Sequence, residues 1–316
     1  MCTAVHIHGC FGRTLDLEHT YGEQVVLTPR RFVLPMRHRP HLTEHYAILG
    51  MATVAQGFPL YYDGVNEKGL AMAGLNFPHS AVYPPPREGD VASFELIPYV
   101  LGTCADLGEV KAALAEMRVC DTAFSAAYLP TGLHWMAADN NRSIVVEATV
   151  HGLQVYDNPI GVMTNEPPFP DQLRHWESFR YLTADEPATT PPRLGRGSGS
   201  LGLPGDFTSP SRLVRAAFVA AHSEAQGDPV GAFFRAIDTV AVPRGCLRLP
   251  NGKQVITQYA SCIQLNELNY IFRTYHGKIF HGIHMAGVEG QDLVTFPLPH
   301  HEDISWENES DDTFAI

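Results

Sequence analysis

"MCTAVHIHGCFGRTLDLEH", residues 1–19, is the stretch that decides how this chain is read. Residues 2–7 and 10–15 are strand-like runs on either side of His8-Gly9, the pattern of two strands joined by a tight turn. The hairpin therefore begins at the first residues, and its second strand brings Arg13 and Asp16 beside the start of the first. Cys2 stands directly behind the initiator methionine, where a small residue favours methionine removal. Once Met1 leaves, residue 2 carries both a thiol and a free α-amine. An α-amine of typical pKa, about 7.7–8.0, is partly neutral at pH 7 and accepts a proton. A lone thiol is only a few per cent thiolate there, so that base matters. One terminal residue then supplies nucleophile and base together.

Such a site needs a group to hold the amine, a cation to favour thiolate, and donors for an oxyanion. Asp16 suits the first task. Arg13 suits the second, since an opposite charge nearby moves a pKa by about 1–3 units. The same two residues also read as a surface ion pair of little energetic weight.

The chain has 316 residues, enough for one large domain or two modest ones. Hydrophobic residues make up 45% and charged residues 18%, as in a globular protein. A formal net charge of -12 argues against a nucleic-acid partner, which needs a basic face. There is no basic segment followed by an apolar one at the start, and no apolar run of bilayer length. The six cysteines are scattered without a signal peptide, which points to free thiols in the cytoplasm and to no membrane partner.

Strand and helix blocks alternate in groups. "LHWMAADNNRSIVVEATVHGLQVYD" (133–157) reads as an antiparallel meander with turns at Asn140-Asn141 and His151-Gly152. "QYASCIQLNELNYIFRTYHGKIFHGIHM" (258–285) repeats the pattern, with turns at 266–269 and at His276-Gly277. Asp106 and Glu109 form a capping box for a helix from 107, while Ser209-Pro210 and Asp228-Pro229 start two more. Antiparallel sheets with helices packed outside them, an α+β layered fold, follow from this order. The Pro-, Gly- and Ser-rich stretch 186–211 marks either a domain boundary or a long excursion from one domain, and resumed strand-like sequence beyond it favours the excursion. The acidic tail 301–312 reads as a solvated terminus.

Two motifs are set aside. Gly197, Gly199 and Gly202 have GxGxxG spacing but lack a preceding strand and a following helix, so no dinucleotide cofactor is expected. His6 and His8 share a strand face with Cys2 and Cys10 as a conceivable metal set, to which His281 and His284 add ligands. The turn at Gly9 and the lack of CxxC or HExxH spacing speak against it. A non-enzymatic metal-binding or redox protein using Cys2, His6 and Cys10 is the rival reading from another class.

The opening MCT, "FGRTLDLE" (11–18), "NEKGLAMAGLNFP" (66–78), "VMTNEPPF" (162–169), "GLPGDFTSPSRLVRAAF" (202–218) and "QYASC" (258–262) occur in this order. The pattern resembles the choloylglycine hydrolases, the family of bile salt hydrolases and penicillin V acylases, from Cys2 to about residue 295. The resemblance implies an N-terminal nucleophile hydrolase fold, a four-layer αββα sandwich, over residues 1–316 as one domain. It implies Cys2 as nucleophile, Arg13 and Asp16 as active-site residues, Asn165 as an oxyanion donor and Arg212 as a further active-site Arg. Asn76 falls where bile salt hydrolases resemble one another in having Asn and penicillin V acylases have Tyr. The implied activity is hydrolysis of glycine- or taurine-conjugated bile salts through a thioester, without cofactor. The same chemistry on penicillin V or an N-acyl homoserine lactone is the near alternative.

The sterol body of such a substrate needs an apolar surface, for which Phe58, Tyr61, Phe124 and Leu133 are candidates, although each reads equally as core. The loop 187–205 resembles the family's assembly segment, which implies a homotetramer, and Gly195-Arg196-Gly197 resembles its glycine-favouring form. Two departures stand out. The hairpin looks short for the family, so Arg13 is expected to reach the site at a different angle, and Glu166 adds a negative charge beside Asn165.

Overall fold

The opening hairpin forms as its turn chemistry dictates. Strands β1 (Cys2–Ile7) and β2 (Cys10–Leu17) pair with Cys2 opposite Leu15 and Ile7 opposite Cys10. A two-residue turn that follows the strand twist needs positive φ at both positions, and His8 adopts 51° and Gly9 71°. Gly12 matters for a different reason: a Cβ there would stand 2.0 Å from the Ser261 carbonyl oxygen, so only glycine lets the neighbouring strand approach.

The computed structural model describes residues 1–189 and 194–299. Part of the 187–205 loop and the whole acidic tail lie outside the described residues. In chain order there follow β3 (Gln24–Thr28), β4 (Ile48–Ala55), β5 (Phe58–Asn66), β6 (Ala71–Asn76) and β7 (Val91–Ala92). Helices α1 (Leu96–Thr103) and α2 (Leu107–Ala115) come next, then β8 (Val119–Cys120). The meander is β9 (Leu133–Ala138), β10 (Ser143–Thr149) and β11 (Gly152–Asp157), followed by β12 (Val162–Met163). Three helices succeed it: α3 (Phe169–Glu177), α4 (Ser209–His222) and α5 (Pro229–Asp238). The chain returns through β13 (Ile256–Gln264), β14 (Asn269–Thr274), β15 (His281–His284) and β16 (Val294–Pro297).

Two antiparallel sheets result. One has six strands in the order β12-β1-β2-β13-β14-β15, and the other eight in the order β11-β10-β9-β6-β5-β4-β3-β16. Alternation along each strand divides the apolar residues among three cores. Cys2, Ala4, Phe11, Leu15, Tyr259 and Tyr270 meet Met51, Ala73 and Met136 between the sheets. Val5, Ile7, Cys10 and Cys262 pack outward against α4 and α5. Ile48, Met72, Trp135 and Val146 pack outward against α1 and α2. The layers therefore run helix, sheet, sheet, helix, the expected αββα sandwich.

Local signals behave as their chemistry predicts, with exceptions. Asp106 caps α2 through the N–H groups of Gly108 and Glu109, but the Glu109 carboxylate reaches the N–H of Ala105, one residue before the cap. Asp228 caps α5 through the Gly231 N–H. Helices α1 and α3 escape the sequence reading: "LIPYVLGT" is apolar all round and shows no helical stripe, and α3 begins behind two prolines. The grouping of Cys2 and Cys10 on one strand face is corrected by the register. Cys10 is opposite Ile7 and therefore shares the outward face, whereas Cys2 faces between the sheets.

Candidate active site

Residue 2 sits where both faces of the six-stranded sheet converge on one backbone. Antiparallel partners share a face, so Cys2, Ala4, Arg13 and Leu15 point to the other sheet, and Thr3, Thr14 and Asp16 point to the helices. Side chain and main chain of residue 2 are consequently held from opposite sides.

On the inter-sheet side, Arg13 Nη2 donates to Cys2 Sγ at 2.6 Å. Nη1 of the same guanidinium donates to the Gly74 carbonyl at 2.5 Å and the Tyr62 carbonyl at 3.2 Å, and Nε donates to the Thr14 carbonyl at 3.1 Å. Burial alone opposes the charge of Arg13, but Cys2, Tyr259, Asp63 and Asp16 outweigh it and raise its pKa above the ordinary value. The short hairpin thus brings Arg13 onto the sulfur despite the expected change of angle.

On the helix side, Arg212 of α4 donates through Nη1 to the Cys2 carbonyl and to Thr3 Oγ1, both at 2.6 Å. Its Nη2 donates to Asn165 Oδ1 at 2.8 Å. Burial lowers the Arg212 pKa, with Asp16 and Cys2 opposing that effect. Asp16 accepts from Thr257 Oγ1 at 2.7 Å and Thr14 Oγ1 at 3.2 Å, and lies 3.9 Å from Arg212 Nη1. Burial pushes the Asp16 carboxyl up, while Arg212, the chain's amine and the two hydroxyls pull the other way.

The Cys2 N–H donates to Asn165 Oδ1 at 2.8 Å, so Asn165 rather than the Asp16 carboxylate holds this nitrogen. Met1 is in place: its amine donates to the Asp16 carbonyl at 2.6 Å, and the Asp16 N–H donates back to the Met1 carbonyl at 2.9 Å. Asn165 Nδ2 donates to the Asn76 carbonyl at 2.8 Å. One of its two N–H bonds is therefore engaged, and Asn165 itself is not among the residues that line the cavity described below. Gln172 of α3 fixes this loop through the Asn165 and Pro167 carbonyls, at 2.6 and 2.8 Å.

Glu166 does not charge the site. Its Oε1 accepts from the N–H groups of His79 and Ser80, and its Oε2 from Ser80 Oγ at 2.7 Å. The carboxylate pins the turn after Asn76 instead of facing Cys2. The Asn76 side chain lines the cavity and makes no hydrogen bond within the described residues.

Cys2, Arg13, Gly74 and Asn76 line one end of a cavity of about 420 Å³. Tyr61, Phe94, Phe124, Tyr128, Leu133 and Trp135 supply its apolar wall. Of the predicted wall residues, Tyr61, Phe124 and Leu133 are present, the Tyr61 hydroxyl being engaged with Thr28 Oγ1 at 2.7 Å. Phe58 is not on the surface of the cavity: it lies behind the wall, its ring edge-on to Phe94 and tilted against Phe124. Arg196 is also absent from the lining, because it lies on an exposed segment whose neighbours Gly197 and Ser198 bond to Glu186.

Sequence reasoning missed Asp63, a fully buried carboxylate that accepts from Tyr270 and Tyr259 at 2.6 and 2.8 Å. It also missed His134 and Glu147, a buried pair 3.1 Å apart on which the Phe77 ring stacks. Among the described residues, no group of three or more His, Cys, Asp or Glu is placed to hold a metal. All six cysteines are free thiols.

Residues 2–296 match the family described as linear amide C–N hydrolases, choloylglycine hydrolase family. The chain belongs to the choloylglycine hydrolase family. It is thus a hydrolase of linear amide bonds, and the reading as a non-enzymatic metal or redox protein is set aside. This family member is 36% identical to a bile salt hydrolase/transferase of Lactiplantibacillus plantarum, across 94% of this chain and 97% of the relative. It superposes on the C2A mutant of the conjugated bile acid hydrolase from Clostridium perfringens with a TM-score of 0.91 and 33% identity, covering 98% and 100% of the two chains. A penicillin V acylase from Agrobacterium tumefaciens shares the fold, with a TM-score of 0.73 and 21% identity over 93% of this chain and 90% of its own.

Proposed function

We propose that this hydrolase cleaves the side-chain amide of glycine- or taurine-conjugated bile salts, with Cys2 as nucleophile. The observation that carries the reading is Cys2 Sγ, held by Arg13 at 2.6 Å, at one end of a cavity with an aromatic and aliphatic wall. After loss of Met1, the Cys2 amine takes the thiol proton as Sγ attacks the amide carbonyl. The C–N bond then breaks, the amine returns that proton to the departing glycine or taurine, and an acyl thioester remains. Water adds to the thioester, releases the free bile acid and restores the thiol. Asn76 and Asn165 are the proposed donors to the oxyanion, Arg212 holds the Cys2 carbonyl, and Asp16 is the proposed partner of the amine once Met1 is gone.

Asn rather than Tyr at position 76 supports bile salts over penicillin V, and the names of the relatives agree. Product analysis with paired glycine and taurine conjugates, beside penicillin V and an N-acyl homoserine lactone, tests this. Hydrolysis of the conjugates at least tenfold faster than of penicillin V is expected, and the reverse preference overturns the substrate assignment. Gly195-Arg196-Gly197 leads us to expect faster turnover of glycine conjugates.

We further read residues 1–316 as one domain, because β16 pairs with β3 in a single sheet. A cytoplasmic homotetramer is inferred from the family resemblance, and light scattering on the purified protein tests the assembly. No helix among the described residues is long and apolar enough to cross a membrane.

A further inference from the structure

Asp63 is a buried carboxylate to which the hydrolytic scheme gives no task. It follows Tyr62 on β5 and is paired across the ladder with Ala73, the neighbour of Gly74. The Tyr62 and Gly74 carbonyls are the two that receive Arg13 Nη1, so Asp63 flanks the seat of the guanidinium. Three hydroxyls converge on its carboxylate: Tyr270 at 2.6 Å, Tyr259 at 2.8 Å and Ser261 at 3.4 Å. Ser261 Oγ in turn accepts the Arg13 main-chain N–H at 3.2 Å. A carboxylate at which three donors aim is arranged as a pure acceptor, the ionised form. Burial pushes the Asp63 carboxyl up, and Arg13 is the strongest of the groups that oppose this.

We propose that Asp63 is a positioning residue that shares the Arg13 guanidinium with Cys2, keeping it seated while tempering its pull on the sulfur. The reaction itself supplies the reason for such a partner. In the thioester the sulfur carries no negative charge, and a buried cation without a counter-charge is poorly tolerated. Asp63 supplies that counter-charge through the whole cycle. Besides the α-amine of residue 2 in the mature protein, the other titratable or charged groups around the sulfur and guanidinium among the described residues are Asp16 on β2, Tyr62 on β5, Tyr259 on β13, Tyr270 on β14 and Arg212 on α4. Of the carboxylates, Asp16 lies on the helix face of the sheet, and Asp63 lies between the sheets, linked to Arg13 through Ser261 and by charge across space rather than by a direct bond.

The inference rests on Cys2 as the reactive thiol. Its test needs no bile salt: mature protein is alkylated with iodoacetamide across a pH series, and the N-terminal peptide is followed by mass spectrometry. Asp63→Asn removes a negative charge from beside Arg13, so the pH of half-maximal Cys2 alkylation is expected to fall by about one unit, or about tenfold faster labelling on the acid side. Alkylation of exposed Cys246 is expected to stay unchanged. An unchanged or raised midpoint at Cys2 overturns the proposal. Should Asp63→Asn fail to fold, the double variant Asp63→Asn with Tyr270→Phe removes the charge together with a hydroxyl that competes with the new amide N–H, and a fall in the same direction is expected. Its absence overturns the proposal equally. Because labelling reads the thiol directly, either result stands whatever the enzyme hydrolyses.

Discussion

Arg13 Nη2 stands 2.6 Å from Cys2 Sγ, and the two residues belong to adjoining strands of one hairpin. Its guanidinium serves four acceptors at once: the sulfur and the carbonyls of Thr14, Tyr62 and Gly74. A lysine ammonium is a point charge on a flexible stem and does not reproduce this fork. Charge-assisted bonds of this kind contribute about 1.5–3 kcal/mol, so Arg13→Lys is expected to lower kcat/KM by roughly ten- to a hundredfold. Steady-state kinetics on glycocholate, with circular dichroism as a check on folding, decide the point.

Cys2→Ala is expected to abolish turnover and leave the fold intact, since the side chain lost is small and its neighbours are held by other bonds. Retained hydrolysis by this variant rules out the nucleophile assignment.

Asn76 lines the cavity, and its side-chain amide has no partner among the described residues, as expected of a donor reserved for a substrate. Loss of one oxyanion donor typically costs about 2.7–4 kcal/mol of barrier. Asn76→Ala is therefore expected to reduce kcat by about two to three orders of magnitude and to change KM little. A variant that loses binding and keeps kcat would reassign Asn76 to substrate recognition alone.

His134 and Glu147 form a hydrogen-bonded pair that is 0% exposed on both sides, and Glu147 Oε1 also accepts the Phe169 N–H at 2.9 Å. Removing one partner strands the other in the core. Glu147→Ala is expected to lower unfolding stability by about 3–5 kcal/mol in urea titration. The apolar double variant His134→Leu with Glu147→Met is expected to recover part of that loss.

Burial lowers the pKa of His6, with the nearby Asp139 opposing, and its Nε2 is buried without a partner. A histidine whose folded pKa lies below its unfolded value binds fewer protons in the native state. Its contribution is fully present above the unfolded value of about 6.5 and is lost as pH falls toward the folded one. The urea midpoint is expected to drop between about pH 7.5 and pH 5, and His6→Phe to flatten that slope. An identical slope in the variant would assign the acid sensitivity to other groups.

Much of this was readable from local chemistry. The His8-Gly9 turn sets the register of the first hairpin, and that register alone places Cys2 and Arg13 on one face. The tight turns of the meander set β9 to β11 in the same way. What escaped depends on how layers meet. Tyr61 and Asp63 are two residues apart and should share a face, but β5 carries Tyr62 as an extra residue at the Met51–Ala52 step. The bulge sends Tyr61 to the outer core and Asp63 between the sheets, where tyrosines of two other strands receive it. Phe58 was misjudged for a related reason: an aromatic strand residue gives no sign of whether it forms a wall or stands behind one. Glu166 appeared close to the chemistry in sequence, yet a turn almost ninety positions away claims its carboxylate.

The reciprocal main-chain bonds between Met1 and Asp16 have a bearing on biosynthesis. With Met1 attached the nitrogen of residue 2 is an amide and accepts no proton, so the proposed base exists only in the trimmed chain. An affinity tag fused ahead of residue 1 would produce a well-folded but inert protein, and the tag would have to be placed at the other end.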